Sequence, residues 1–207
     1  MLSDEICNSN IRRTNMANKV KYGLKNVHYA IATIDTITGE ATYATPVRIP
    51  GAVNLTAEPS GDTNDFFADD IKFASFAANA GYETTLEIAL LPDTFRQDVL
   101  GEVLDEDIQY ETTEASAVPF ALLFEFNGDE HATKHVMYNC IASRTNLDGQ
   151  TAESSIEVKT EELKMTCGSV YNAELAKNIV KGKCDVVESD AFKNWYTAVQ
   201  QKTKVTG

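Results

Sequence analysis

The sequence predicts a mainly β fold, an antiparallel sandwich or barrel with one short central helix and a second helix near the C-terminus. Three observations carry this. Apolar residues recur at every second position in short runs between Val27 and Met165, the period of a strand with one buried face. Clusters of Gly, Pro, Asn and Asp separate those runs and turn the chain. Thr, Ala, Val, Ile, Phe and Tyr are enriched within them, and these residues suit a pleated surface. The 207 residues fit one domain, and an apolar content of 43% is enough for a sizeable core.

The first strand lies at Val27 to Ile34, which alternates, with Val27, Tyr29 and Ile31 on one face and His28, Ala30 and Ala32 on the other. Asp35 to Glu40 turns the chain at Gly39, and Thr42 to Ile49 returns as a second strand. After Pro50-Gly51, the residues Val53, Leu55 and Ala57 are expected on the inner face of a third. Pro59 to Asp70 reads as a loop, with Pro, Gly, Asn and several Asp around Phe66-Phe67. Ile71 to Ala77 and Glu83 to Leu91 are expected to pair as a hairpin around Asn79-Ala80-Gly81, with Leu86, Ile88 and Leu90 on one side.

Pro92 opens a short helix, with Asp93 in its first turn, Phe95 and Val99 on its inner face and Gly101 as its stop. Phe120, Leu122, Phe124 and Phe126 share one face of the next strand. Asn127-Gly128-Asp129 turns the chain into Lys134 to Ile141, where Val136, Tyr138 and Cys140 are expected inward. Beyond a turn at Asp148-Gly149, Ser154 to Met165 reads as a long strand with Ile156 and Val158 inward and a change of phase at Glu161-Glu162. Ser189 caps a C-terminal helix in which Phe192, Trp195, Tyr196 and Val199 recur at helical spacing, a stripe that suits core packing. Residues 1–15 differ in character from the chain after Met16 and are expected to be a flexible extension of a single domain over 16–207.

The net charge is −13, unevenly distributed. Glu58 to Glu130 holds 18 acidic residues against Lys72 and Arg96, a local net of −16, whereas Thr151 to the end balances eight acids with eight lysines. An acidic middle repels phosphate and argues against tight nucleic-acid binding. It serves equally as a solvated surface or as a wall past which DNA slides without sticking. Cys7, Cys140, Cys167 and Cys184 form no CxxC pair, which excludes a zinc knuckle, and Cys140 lies in an apolar strand pattern. No run of about 18 apolar residues could cross a membrane.

Motifs for catalysis and cofactors are missing. His131 and His135 are spaced HxxxH, but on a strand the two imidazoles stand about 13 Å apart, and both are expected to face solvent. There is no GxSxG, GxxxxGK[ST] or GxGxxG. Asp62, Asn64 and Asp65 lack the Gly and terminal Glu of a calcium loop. Asp105-Glu106-Asp107 reads as a solvated loop. No catalytic, cofactor-binding or metal-binding residue is therefore assigned.

Four segments, in order, resemble the phi13-type major tail proteins of long-tailed phages and prophages. They are NKVKYGLKNVHYA (18–30), LPDTFRQDVLG (91–101), FALLFEFNGDEHATKHVMYNCIASRTNLDGQT (120–151) and FKNWYTAV (192–199). The resemblance spans Met16 to about Val199 and rests on their order. It implies a tail tube fold and hexameric rings of the chain stacked around a tape-measure protein. It also implies tail terminator and baseplate proteins as partners, assembly in the bacterial cytoplasm and a final place in the virion tail. DNA would pass through the tube without specific binding and no membrane would be involved. In that setting the segment Pro59 to Asp70, with Asp62, Asp65, Phe66, Phe67, Asp69 and Asp70, is expected to reach the adjacent ring and to order on stacking.

Two other readings compete. A β-sandwich module for carbohydrate or a receptor would display an aromatic platform, whereas Trp195 falls in an amphipathic pattern. An unrecognised enzyme would need a cleft with perturbed carboxylates.

Overall fold

The structure, a computed structural model, describes residues 18–61, 63–68, 71–146 and 159–202, and for 63–68 and 71–77 the backbone. The expected extension 1–15, the turn at Asp148-Gly149 and the stretch Ser154 to Val158 lie outside them. The chain is mainly β. In order it forms β1 (Lys21–Ile34), β2 (Ala41–Tyr43), β3 (Val47–Arg48), β4 (Ala52–Ser60), β5 (Thr63–Ala68), β6 (Ile71–Ala77) and β7 (Gly81–Ile88). Helix α1 (Asp93–Asp98) comes next, then β8 (Val103–Asp105), β9 (Ile108–Tyr110), β10 (Phe120–Gly128), β11 (Thr133–Ala142) and β12 (Glu161–Gly168). The chain closes with β13 (Val170–Asn172), β14 (Lys177–Ile179), β15 (Lys181–Cys184) and α2 (Asp190–Lys193).

Nine strands make one antiparallel sheet in the order β2-β1-β10-β11-β12-β7-β4, with β3 also on β1 and β15 also on β11. The sheet coils until β4 lies against β1. Strand β11 branches it: Lys134 to Met137 pair with β15, and Asn139 to Ala142 pair with β12. Three further two-stranded pieces are β5-β6, β8-β9 and β13-β14, the last tied to the chain before β2 by a bridge between Tyr171 and Glu40.

Two apolar layers result. Inside the coiled sheet, Val27, Tyr29, Leu86, Ile88, Phe120, Leu122, Phe124 and Leu163 close around α1, which inserts Phe95, and Val99 just past its end. Phe95 packs edge-on against Tyr29 and Phe120, at ring-centroid distances of 5.0 and 5.5 Å. On the outer face of β1, β10 and β11, a second layer of Ala30, Ala121, Leu123, Val136, Tyr138 and Val170 is covered by Trp195. Strand β10 is therefore buried on both faces, as FALLF without a charge requires.

The structure corrects several expectations. Ile71–Ala77 pairs with β5, and β7 pairs with β4 and β12, so the two do not form a hairpin with each other. Val53 points outward because a register shift between Ala52 and Asn54 moves it off the inner face, leaving Leu55 and Ala57 there. Leu90 lies past the end of β7 and is exposed. In β11, Val136 and Tyr138 belong to the outer layer, whereas Met137 and Cys140 face the interior. A register shift between Phe120 and Leu122 gives β11 an extra residue and reverses its faces. The returning strand after Gly39 breaks at Pro46 into β2 and β3. The C-terminal helix is a single turn, capped as expected by Ser189 Oγ, which accepts from Phe192 N at 3.1 Å.

Candidate assembly surfaces

The outward face of β4, β7 and β12 is polar and acidic. Alternation along β7 buries Thr84, Leu86 and Ile88 and turns Glu83, Thr85 and Glu87 outward. The ladder aligns these residues in rows of Asn54–Glu87–Glu162, Thr56–Thr85–Lys164 and Glu58–Glu83–Thr166. Glu58 faces Glu83 and Glu87 faces Glu162, so two like-charge pairs sit directly cross-strand, an arrangement that costs stability. Threonine hydroxyls offset part of that cost: Thr160 donates to Glu87 at 2.7 Å and Thr166 to Glu83 at 3.5 Å. Across the three strands four carboxylates meet the single ammonium of Lys164. Sequence reasoning placed the acidic excess in the middle of the chain but did not bring Glu162 beside Glu87, which only the β7–β12 register does.

A two-stranded arm extends this face. The β4–β7 ladder ends at Ser60 opposite Gly81, and β5–β6 resumes at Thr63 opposite Ala77. Ala80 N donates to Ser60 O at 2.9 Å between the two ladders. The segment read as a loop is thus strand on both sides of Gly61, because Thr63, Phe66 and Phe67 are residue types that suit a pleated strand despite their acidic neighbours. Of the expected stacking residues, Asp65 pairs with Ser75, Phe66 with Ala74 and Phe67 with Lys72, with a bulge between the two phenylalanines. Asp62, Asp69 and Asp70 lie outside the described residues. At the arm's root Gly81 has φ +110 and Gly61 φ +149, and a Cβ on either would run into a backbone carbonyl, Cys167 O for Gly81 and Ala78 O for Gly61.

The far end of β11 is basic. Lys183 lies on β15 opposite His135, with Lys181 on the same strand, and Lys21 opens β1. Lys21 Nζ sits over the Phe126 ring at 5.0 Å and Lys181 Nζ over Tyr82 at 4.6 Å, cation–π contacts that hold the ammonium groups against the rings. Lys183 also pairs with Asp185 at 3.2 Å. His135 is not solvent-facing as expected. It stacks on Phe124 at 5.3 Å, and burial, reinforced by the charges of Lys183, Lys21 and Lys181, lowers its pKa to about 4. His131 and His135 form no metal cluster, and among the described residues no group of three or more His, Cys, Asp or Glu is placed to hold a metal.

Trp195 is 3% exposed and donates from Nε1 to His135 O at 3.4 Å, so it offers no aromatic platform for a sugar. Cys140 and Cys167, distant in sequence, meet directly across β11 and β12 with their sulfurs 2.6 Å apart. Both are buried in the core, where desolvation raises the pKa of the Cys140 thiol.

No family model matches the chain, and no curated protein matches it. Among solved structures it is similar to a chain of the anti-feeding prophage baseplate, seen by cryo-electron microscopy with six-fold symmetry. The identity is 11%, the match covers 82% of this chain and 97% of that one, and the TM-score is 0.46. It is also similar to a chain of the tube-terminating cap of the same particle, at 10% identity, 84% and 98% coverage and a TM-score of 0.43.

Proposed function

We propose that this chain is the structural subunit of a phage-type tail tube, assembling into stacked hexameric rings around a tape-measure protein. The observation that carries the reading is the acidic outer face of β4, β7 and β12. A face that holds Glu58 against Glu83 and Glu87 against Glu162 gives up stability in the isolated subunit. Turned toward a lumen, it repels DNA phosphates and leaves few cationic sticking points along the passage. The lining would then consist of Glu58, Glu83, Glu87 and Glu162, which share this face with Lys164 between them.

The β5–β6 arm, with Asp65, Phe66 and Phe67 in its first strand and Asp62, Asp69 and Asp70 flanking it, reaches the neighbouring ring. Its two strands pair only with each other among the described residues, so their outer edges are available to a second subunit. The resemblance of residues 16–199 to phi13-type major tail proteins supports the same reading. Terminator and baseplate proteins would then cap the tube, which is built in the bacterial cytoplasm and ends in the virion.

Negative-stain and then cryo-electron microscopy of the purified protein over a range of concentration tests this, with the initiator complex of its tail added where tubes do not start alone. Rings or tubes whose channel is lined by β4, β7 and β12 are expected. Assemblies without a channel, or a channel lined by another face, would overturn the assignment. Tubes that still form normally after deletion of Gly61 to Asp69 would remove the stacking role of the arm.

A further inference from the structure

The β8–β9 hairpin leaves an apolar face with no partner in the subunit among the described residues. Its register pairs Val103 with Tyr110 and Asp105 with Ile108, so these four side chains share one face. Leu104 and Gln109 point to the other, where Gln109 accepts from Gln97 of α1 at 3.1 Å and donates to Glu102 at 2.6 Å. Val103, Ile108 and Tyr110 are 52, 56 and 45% exposed. Strands of three residues in an isolated pair are marginal in water, and contiguous exposed apolar side chains mark an interaction site. The tip, Asp105-Glu106-Asp107, adds three exposed carboxylates.

The complementary surface lies at the opposite end of the same molecule. Arg144, two residues past the end of β11, reaches Glu111 at the foot of the hairpin at 2.9 Å. The lysine patch of Lys21, Lys181 and Lys183 surrounds His135 near the start of β11. Lys181 lies opposite Met137 and Lys183 opposite His135, seven and nine residues before Arg144, so roughly 23 to 30 Å of strand keep hairpin and patch apart within one subunit. Surfaces that are complementary but separated join copies head to tail, the heterologous arrangement that closes into rings or continues as a filament.

We infer that the β8–β9 hairpin docks its Val103, Ile108 and Tyr110 face on the lysine patch of a second copy, with Asp105, Glu106 and Asp107 against Lys21, Lys181 and Lys183. The occupant is another copy of this chain. The hairpin brings three carboxylates to three lysines, of which Lys183 already shares its charge with Asp185, and the Phe126 and Tyr82 rings beneath the Lys21 and Lys181 ammonium groups supply apolar contact. This inference rests on the reading of the chain as a self-assembling subunit and names the contact between copies.

Charge reversal tests it with the full chain. One variant carries D105K, E106K and D107K, and the other K21E, K181E and K183E; circular dichroism confirms that each is folded. Sedimentation velocity and electron microscopy then read association. Each variant alone is expected to lose at least tenfold in association constant relative to wild type. A mixture of the two is expected to recover it, because the basic hairpin of one then meets the acidic patch of the other. Wild-type assembly that survives both reversals, or a mixture that stays dissociated, overturns the docking, as does a wild-type chain that does not self-associate even with the initiator complex added. Tubes formed equally by all variants would leave the tube reading standing without this contact. Recovery in the mixture as compact oligomers without a channel would leave the contact standing without the tube.

Discussion

The hydroxyl of Tyr196 donates to one carboxylate oxygen of Glu125 at 3.0 Å, while the other oxygen accepts from Asn26 Nδ2 at 2.8 Å. Glu125 is buried in the middle of the β1–β10–β11 sheet. It therefore ties three distant pieces together: the bulge of β1 at Asn26, strand β10, and the C-terminal segment that carries Trp195 over the outer apolar layer. Tyr196 also stacks on His28 at 4.4 Å, so the segment is held by ring contact as well as by the hydrogen bond.

Tyr196→Phe keeps the ring and removes the donor. A buried carboxylate deprived of a partner costs about 1–3 kcal/mol. The stability read from urea denaturation is expected to fall by that amount, and cleavage by trypsin after Lys193 and Lys202 to quicken. An unchanged midpoint would mean that water replaces the phenol without loss.

His135 gives the acid limb of stability a predictable slope. Its folded pKa of about 4 lies below the ordinary 6.5, so on acidification the unfolded chain takes up the proton first. Stability then falls as pH drops from about 6.5 to about 4 and levels below that. His135→Phe preserves the stack on Phe124 and removes the titration. Denaturation midpoints measured from pH 7 to pH 4 should show a shallower decline for the variant, and parallel curves would dismiss the effect.

Phe95 joins α1 to both Tyr29 and Phe120. Phe95→Ala opens a cavity that the two rings cannot fill, at a cost of about 3–5 kcal/mol. The variant is expected to unfold at markedly lower denaturant, with loss of near-ultraviolet dichroism from the tyrosines before loss of strand signal. A cost under about 1 kcal/mol would show that the helix collapses into the space.

Gly81 holds the root of the arm. Its φ of +110 and its approach to Cys167 O leave no room for a methyl group. Gly81→Ala is expected to cost roughly 1–3 kcal/mol through backbone strain. Hydrogen exchange should quicken first at the β4–β7 and β7–β12 ladders next to it. Protection unchanged at Tyr82 and Glu83 would argue that the root is looser than its geometry implies.

Local pattern made much of this protein legible from its residues alone. Alternation over Val27–Ile34 and Phe120–Phe126 named the strands and their inner faces, because a period of two leaves little choice when one side must be buried. Pro92, Asp93 and Gly101 bounded α1 and Ser189 capped α2, since such signals act within a turn of the chain. Tertiary structure decided what depends on partners distant in sequence. Register shifts turned Val53 outward and set Val136 and Tyr138 apart from Cys140, because a single extra residue reverses every later side chain and leaves no mark in composition. The pairing of β5 with β6, the meeting of Cys140 with Cys167 and the row Asn54–Glu87–Glu162 come from which strands lie side by side. That choice is made by the shared core beneath them, whose energy no single segment contains.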